Sequence, residues 1–248
     1  MGASPQLPED PPRVDADIAT PILVRGDVQI WRIPLARPAS MRRRLASTLS
    51  TAEQARAARF HFERHRRRFA VAHGGLRVVL AGYLQRAPEA LHFAAASGGK
   101  PFLERESNDA DLRFNLSHSS DLALLAVTLG REVGIDVERL NPKAETTRLA
   151  RRFFAPEERD ALEHSGSDQH VADFFRVWTL KEAYLKAVGT GLGRSLSSFA
   201  VAPRGTDPRL LRSDAGDEED WLFECLEVAP ENGQSFAGAL VASTRLRS

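Results

Sequence analysis

The chain has 248 residues, 42% hydrophobic and 27% charged. That composition excludes wholesale disorder, a collagen-like repeat and a coiled coil, and a globule this long buries roughly 70–75% of its unfolded surface without needing a disulfide or a metal to fold. Net charge is +1, from 34 basic and 33 acidic residues, so bulk electrostatics do not mark a nucleic-acid binder. Cys225 is the only cysteine; it excludes an intrachain disulfide and a cysteine zinc site, reads as a small core residue and suits a reducing, cytoplasmic compartment.

Residues 1–21 contain Pro5, Pro8, Pro11, Pro12 and Pro21 with little apolar content and read as a flexible leader. They show no apolar signal-peptide core. Val28, Ile30 and the residues to Ile33 predict a first strand, ended near Pro34. Ser50 with Glu53 has capping-box spacing and predicts a helix start. Phe69, Ala72, Leu76, Val79 and Tyr83 recur at three and four residues, the buried stripe of a second helix. Ser97 to Pro101 is a turn signal. Leu112, Phe114, Leu116 and His118 alternate as in a strand, and Leu122–Leu129 reads as a buried strand, far too short to span a bilayer.

The pattern then starts again, at an offset of roughly 105–115 residues, as a duplicated unit requires. Gly26–Ile30 has a counterpart in Gly134–Glu138, the Ser50 helix start in Ala155–Glu158, the 69–83 helix in one over 171–188, and the two strands in apolar runs at 221–228 and 236–244. The predicted fold is α+β, with two similar α/β halves in one chain and the active site in the cleft between them. The divisions expected are a leader over 1–21, an N-terminal half over 22–130 and a C-terminal half over 131–248. Residues 203–220 read as a solvated acidic loop.

One glutamate stands out. Val171, Phe175, Trp178, Glu182 and Leu185 form a single helical stripe in which only Glu182 is polar. A carboxylate aimed at a core must be protonated, paired or bound to a metal. In Gly134-Ile135-Asp136-Val137-Glu138, Ile135 and Val137 point to one face of a strand and Asp136 and Glu138 to the other; two such neighbouring charges repel unless a cation lies between them. With Glu182 the set is three oxygen ligands and no cysteine, suited to Mg²⁺. Of only four lysines in the chain, Lys181 and Lys186 flank Glu182, and Lys186 is placed to meet a phosphate at the metal. Gly189–Gly193 reads as a helix C-cap rather than a phosphate cradle. His118 alone reads as a turn residue, and the arginines from Arg56 to Arg68 as a solvated helix face or an anion-facing one. No Gly-x-Ser-x-Gly element indicates a nucleophilic triad.

Taken in order, Gly99-Lys100-Pro101, Asn115-Leu116-Ser117-His118-Ser119, Gly134–Glu138, Arg152-Phe153-Phe154 and Trp178–Lys186 resemble the ordered signatures of the 4′-phosphopantetheinyl transferases. The length resembles the pseudo-dimeric, monomeric Sfp (surfactin-synthetase-activating) type rather than the half-length trimeric holo-acyl-carrier-protein synthase type. The resemblance implies Mg²⁺-dependent transfer of phosphopantetheine from coenzyme A to a serine of an apo carrier protein of fatty acid, polyketide or nonribosomal peptide synthesis, with release of adenosine 3′,5′-bisphosphate. It implies Asp136, Glu138 and Glu182 as metal ligands, Glu182 and Lys186 as catalytic groups, and Lys181 lining the same site. It implies Arg56, Arg68, Ser117 and His118 on the coenzyme A phosphates or nucleotide, and Gly99, Lys100 and Pro101 at the adenine end. Phe69 departs from the pattern, because some members carry a small hydroxyl residue there. Two other classes remain open on the residues alone: a catalytically silent binder of coenzyme A or of a carrier protein, and a Mg²⁺-dependent hydrolase of a nucleotide pyrophosphate.

Overall fold

A computed structural model describes residues 22–202 and 207–246; the expected leader over 1–21 lies outside the described residues. The chain opens with β1 (Val28–Pro34), followed by α1 (Ala39–Ser47), α2 (Thr51–Ala58) and the long α3 (Glu63–Leu84). The capping box forms as the sequence predicts: Glu53 N–H donates to Ser50 Oγ while Ser50 N–H donates to the Glu53 carboxylate at 2.8 Å. A short hairpin, β2 (Phe93–Ala95) and β3 (Pro101–Leu103), precedes β4 (Leu112–Ser119) and β5 (Leu122–Leu129).

The second run is β6 (Val133–Arg139), α4 (Thr146–Phe153), α5 (Pro156–Glu163), α6 (Ser167–Val188), β7 (Ala200–Val201), β8 (Leu210–Arg212), β9 (Trp221–Leu226) and β10 (Phe236–Ser243). The two main sheets have the orders β1-β5-β4 and β6-β10-β9, antiparallel throughout. Each is therefore an edge strand, a central strand and a third strand in the same chain order. Each run also carries a 22-residue helix, α3 in one and α6 in the other.

Period-two alternation dictates the layers. Trp31, Ile33, Ala123, Leu125 and Val127 turn toward α3 and build one core. The intervening residues Val28, Ile30, Leu122, Leu124 and Ala126 meet Val133, Ile135, Val137 and Leu240, so the two sheets share an apolar layer. Ala239 and Val241 turn the other way, onto α6 and its aromatic residues Phe174 and Tyr184.

The solvated loop expected over 203–220 is corrected in its described part. Leu210–Arg212 pairs with Ala200 and Val201. Asp217 accepts hydrogen bonds from Tyr184 Oη at 2.7 Å and Trp221 Nε1 at 2.9 Å. The acidity there satisfies a phenol and an indole brought in by the core, which buried polar groups require. Among the described residues no helix is long and apolar enough to cross a membrane.

Candidate active site

Gly134 sets the geometry. A Cβ at this position would lie 2.0 Å from the Ala183 carbonyl oxygen and 2.4 Å from Ala187 N, so only glycine lets α6 rest directly on the β6 backbone. The next residues on the same side of the strand, Asp136 and Glu138, then face the turn of α6 that carries Glu182 and Lys186. Ile135 and Val137, on the opposite side, are fully buried in the shared apolar layer, which fixes the register of the acid pair.

Asp136 is 3% exposed. Its Oδ1 accepts from Lys186 Nζ at 2.6 Å and from Ser117 Oγ at 2.8 Å, while its Oδ2 is buried with no hydrogen-bond partner. Glu138 Oε2 accepts from Ser119 Oγ at 2.7 Å. Burial, and then the negative charges of Asp136 and Glu182, push the Glu138 carboxyl above its ordinary value against the pull of Ser119 and Lys186. Burial and the charge of Asp136 do the same to Glu182. The three acids predicted from sequence therefore stand within electrostatic reach of one another. They do not form a finished cage: among the described residues no three His, Cys, Asp or Glu side chains converge as a ready-made metal site. What is present is the chemistry of an unfinished one, with an orphaned carboxylate oxygen and like charges that only partial pairing relieves.

A positive cluster lies beside the acids. His118 lies near the end of β4 and its outer edge meets solvent; packing around the ring, and then the positive charges of His73, Lys186 and Arg68, hold its pKa below the ordinary imidazole value. Arg68 pairs with Asp121 at 2.8 Å. Phe69, the departure noted in the sequence, is an aromatic platform. His73 stacks on one side with ring centroids 4.0 Å apart, and the Arg56 guanidinium stands 5.4 Å from the ring centre. Phe69 is thus a ring that holds two basic groups. His73 also faces Glu53 at 3.7 Å. Burial raises the Glu53 carboxyl, but hydrogen bonds from His73, Ser50 N–H and Arg77 overcome that and hold it at about 2.

Three of the expected residues are engaged within the fold. Lys181 does not line the site: its side chain is fully buried on another face of α6, with Nζ 2.8 Å from Glu158 Oε2 and 2.7 Å from the Phe199 carbonyl. Burial drives it down to about 8. Lys100 is spent internally, donating to the Val133 carbonyl at 2.9 Å, to Glu132 Oε2 at 3.0 Å and to the Ala187 carbonyl at the end of α6 at 3.3 Å. Its loop is pressed onto the helix cap, since a Cβ at Gly98 would lie 2.0 Å from the Gly189 carbonyl oxygen; Gly189 itself, at φ +80, is the predicted C-cap. Ser117 is also saturated, because its hydroxyl donates to Asp136 and accepts from Lys186 and Val137 N–H.

Four residues with clear roles were not singled out individually by sequence reasoning: His73, Asn115, Ser119 and Glu158. Asn115 and Ser119 carried a signal, since polar residues recur with period two through Asn115, Ser117 and Ser119. His73 stands one helical turn beyond Phe69, on the same face. A cleft of about 620 Å³ opens at the other end of β4 and β6, lined by Lys100, Pro101, Phe102, Arg113, Glu132 and Trp221 among others.

A profile of the 4′-phosphopantetheinyl transferase superfamily matches residues 132–241, and one of the 4′-phosphopantetheinyl transferase N-terminal region matches residues 37–129. The 4′-phosphopantetheinyl transferase HetI of Nostoc sp. (strain PCC 7120) is 46% identical over 210 residues, 85% of this chain and 86% of the relative. The chain belongs to the 4′-phosphopantetheinyl transferase family. Its transferase class is that of an enzyme, and its type is that of Sfp of Bacillus subtilis (strain 168), which is 28% identical over 70% of this chain and 76% of the relative. A solved holo-(acyl-carrier-protein) synthase from Bacillus anthracis, in complex with CoA (3′,5′-ADP), is 24% identical and superimposes with a TM-score of 0.35 over 47% of this chain and 96% of its own.

Proposed function

We propose that this transferase moves the 4′-phosphopantetheine group of coenzyme A onto a serine of an apo carrier protein, requires Mg²⁺, and releases adenosine 3′,5′-bisphosphate. The observation that carries the reading is the buried, partnerless oxygen of Asp136, next to two further carboxylates and one half-open lysine. Asp136, Glu138 and Glu182 would hold the ion, which when bound neutralises charge on the diphosphate and aligns it.

The chain's own groups supply the rest. Lys186 offers its ammonium to a phosphate oxygen. Arg68 and Arg56 form the cationic wall for the remaining phosphates of coenzyme A, His73 and His118 offer ring nitrogens beside it, and the Gly99–Pro101 backbone takes the adenine end. The serine oxygen of the carrier bonds to the β-phosphorus, and the bond from that phosphorus to the oxygen bridging it to the α-phosphate breaks. Glu182 takes the serine proton. Little covalent work falls to the protein; positioning and charge neutralisation carry the rate.

We further read the chain as two duplicated halves meeting near residue 130, acting as a cytoplasmic monomer. The matching strand orders and paired 22-residue helices support the duplication. Exposed arginines just before α3 and in its first turn, Arg59, Arg64 and Arg66, beside the cationic wall, would steer an acidic carrier to the cleft.

Incubation with coenzyme A, Mg²⁺ and an apo carrier protein, read by intact-protein mass, tests the reading. The expected result is a carrier heavier by one phosphopantetheine group, with adenosine 3′,5′-bisphosphate released. Free phosphopantetheine with an unmodified carrier would mean a hydrolase, and unchanged coenzyme A across a panel of carriers would mean a silent binder; either result overturns it.

A further inference from the structure

β4 and β6 run side by side in the same direction, yet among the described residues no strand pairing joins them. Side chains stand in for the missing ladder. Ile135 N–H donates to Asn115 Oδ1 at 2.9 Å, Val137 N–H to Ser117 Oγ at 3.4 Å and Arg139 N–H to Ser119 Oγ at 3.1 Å. The period of two on β4 answers the period of two on β6.

A hydroxyl both accepts and donates. Ser117 spends its proton on Asp136 Oδ1 and Ser119 spends its proton on Glu138 Oε2. Each serine therefore grips one residue by its carboxylate and the next residue by its backbone N–H. Asn115 grips the backbone alone.

We propose that Ser119 is a positioning residue: its hydroxyl fixes Glu138 by one oxygen so that the other is presented in a set direction toward the cation. This rests on the reading that Asp136, Glu138 and Glu182 hold Mg²⁺. Ser119 is the informative member of the pair, because Ser117 also meets Lys186, and a change there would disturb the lysine as well. A carboxylate ligand pinned by an outer hydrogen bond loses no entropy in choosing its rotamer when the ion arrives, and removing such a bond costs typically 10–100-fold in metal affinity.

The experiment uses full-length protein and four variants: Ser119→Ala, Ser119→Cys, Ser119→Thr and Asn115→Ala. Mg²⁺ binding is read directly by calorimetry without substrate, and the Mg²⁺ dependence of carrier modification is read in parallel. Ser119→Ala is expected to weaken Mg²⁺ binding by about 10-fold or more and to raise the Mg²⁺ needed for half-maximal transfer by the same factor. Ser119→Cys, a near-isosteric weak donor, should fall between Ser119→Ala and the parent, and it carries the test should the alanine variant fold poorly. Ser119→Thr keeps the hydroxyl and should restore binding. Asn115→Ala removes a seam contact without touching a carboxylate, so it should lower the melting temperature and leave Mg²⁺ binding unchanged. If Ser119→Ala or Ser119→Cys binds Mg²⁺ as the parent does while melting earlier, the serine is merely structural and the proposal falls. A parent protein that binds no Mg²⁺ and modifies its carrier fully in chelator would instead overturn the metal reading itself.

Discussion

Lys181 and Lys186 leave the same helix five positions apart, and each reaches a carboxylate. Around Lys181 the account is closed. Both side chains are fully buried, and Glu158 also accepts from Ala155 N–H and Val201 N–H, each at 2.8 Å, so its oxygens are used up. Around Lys186 the account is open. The lysine is 29% exposed and its partner Asp136 keeps one oxygen without any donor. A pair whose valences are all met inside the fold can only hold α5, α6 and β7 together. A pair with a valence left over, at the edge of solvent and next to two more acids, can exchange partners with a ligand. Residue type alone does not separate structure from chemistry here; completeness of hydrogen bonding does.

The largest effect expected is at the open cluster. Glu182→Ala should reduce carrier modification by at least ~1000-fold with a melting temperature close to the parent's, read by intact-protein mass and thermal unfolding on the same preparation. Near-parental turnover at saturating Mg²⁺ would erase the contrast between the two pairs. Glu158→Ala should do the reverse. It strands a buried ammonium, which costs about 3–5 kcal/mol of folding stability, while the folded fraction keeps its KM for coenzyme A. Chemical denaturation and steady-state kinetics check the two halves of that statement, and replacing Glu158 and Lys181 together by apolar residues should recover much of the loss. The smallest effect is at the rim. Arg68→Ala should raise the KM for coenzyme A by about 10-fold, the worth of one charge-assisted hydrogen bond, and leave kcat nearly unchanged; an unaltered KM would remove Arg68 from the cationic wall.

Much of this was legible in the chain because periodicity reports burial. The 122–129 strand, the Ser50–Glu53 cap, the Gly189 stop and the acid pair on β6 follow from patterns in which every side chain agrees with its neighbours. The elements that went unread are those in which burial is slight. α1 buries only Leu45 and α4 only Thr146 and Ala150, between arginines and with no side-chain cap. β7 and β8 are two and three residues long, too short for alternation to register. Lys181 was misread for a different reason. α6 is buried on more than one side, so a second apolar row through Val177 and Tyr184 runs beside the row holding Glu182, and a lysine in that row must find an anion inside the protein. Glu158, three residues after Ala155 at the start of the preceding helix, is that anion. The conflict over Lys100 is similar: its motif speaks for a ligand contact, while its side chain is drawn to the Glu132 carboxylate, the Val133 carbonyl and the Ala187 carbonyl at the negative end of the α6 dipole.

The join between β4 and β6 has a genetic consequence. Where strands pair through their main chains, the bonds are the same for every residue but proline, and most point mutations leave them standing. Here the rungs are an asparagine and two serines, so single-codon changes remove them one at a time. The grip between the two sheets can be loosened by degrees without breaking either sheet, and only the serine rungs carry that loosening on to a carboxylate.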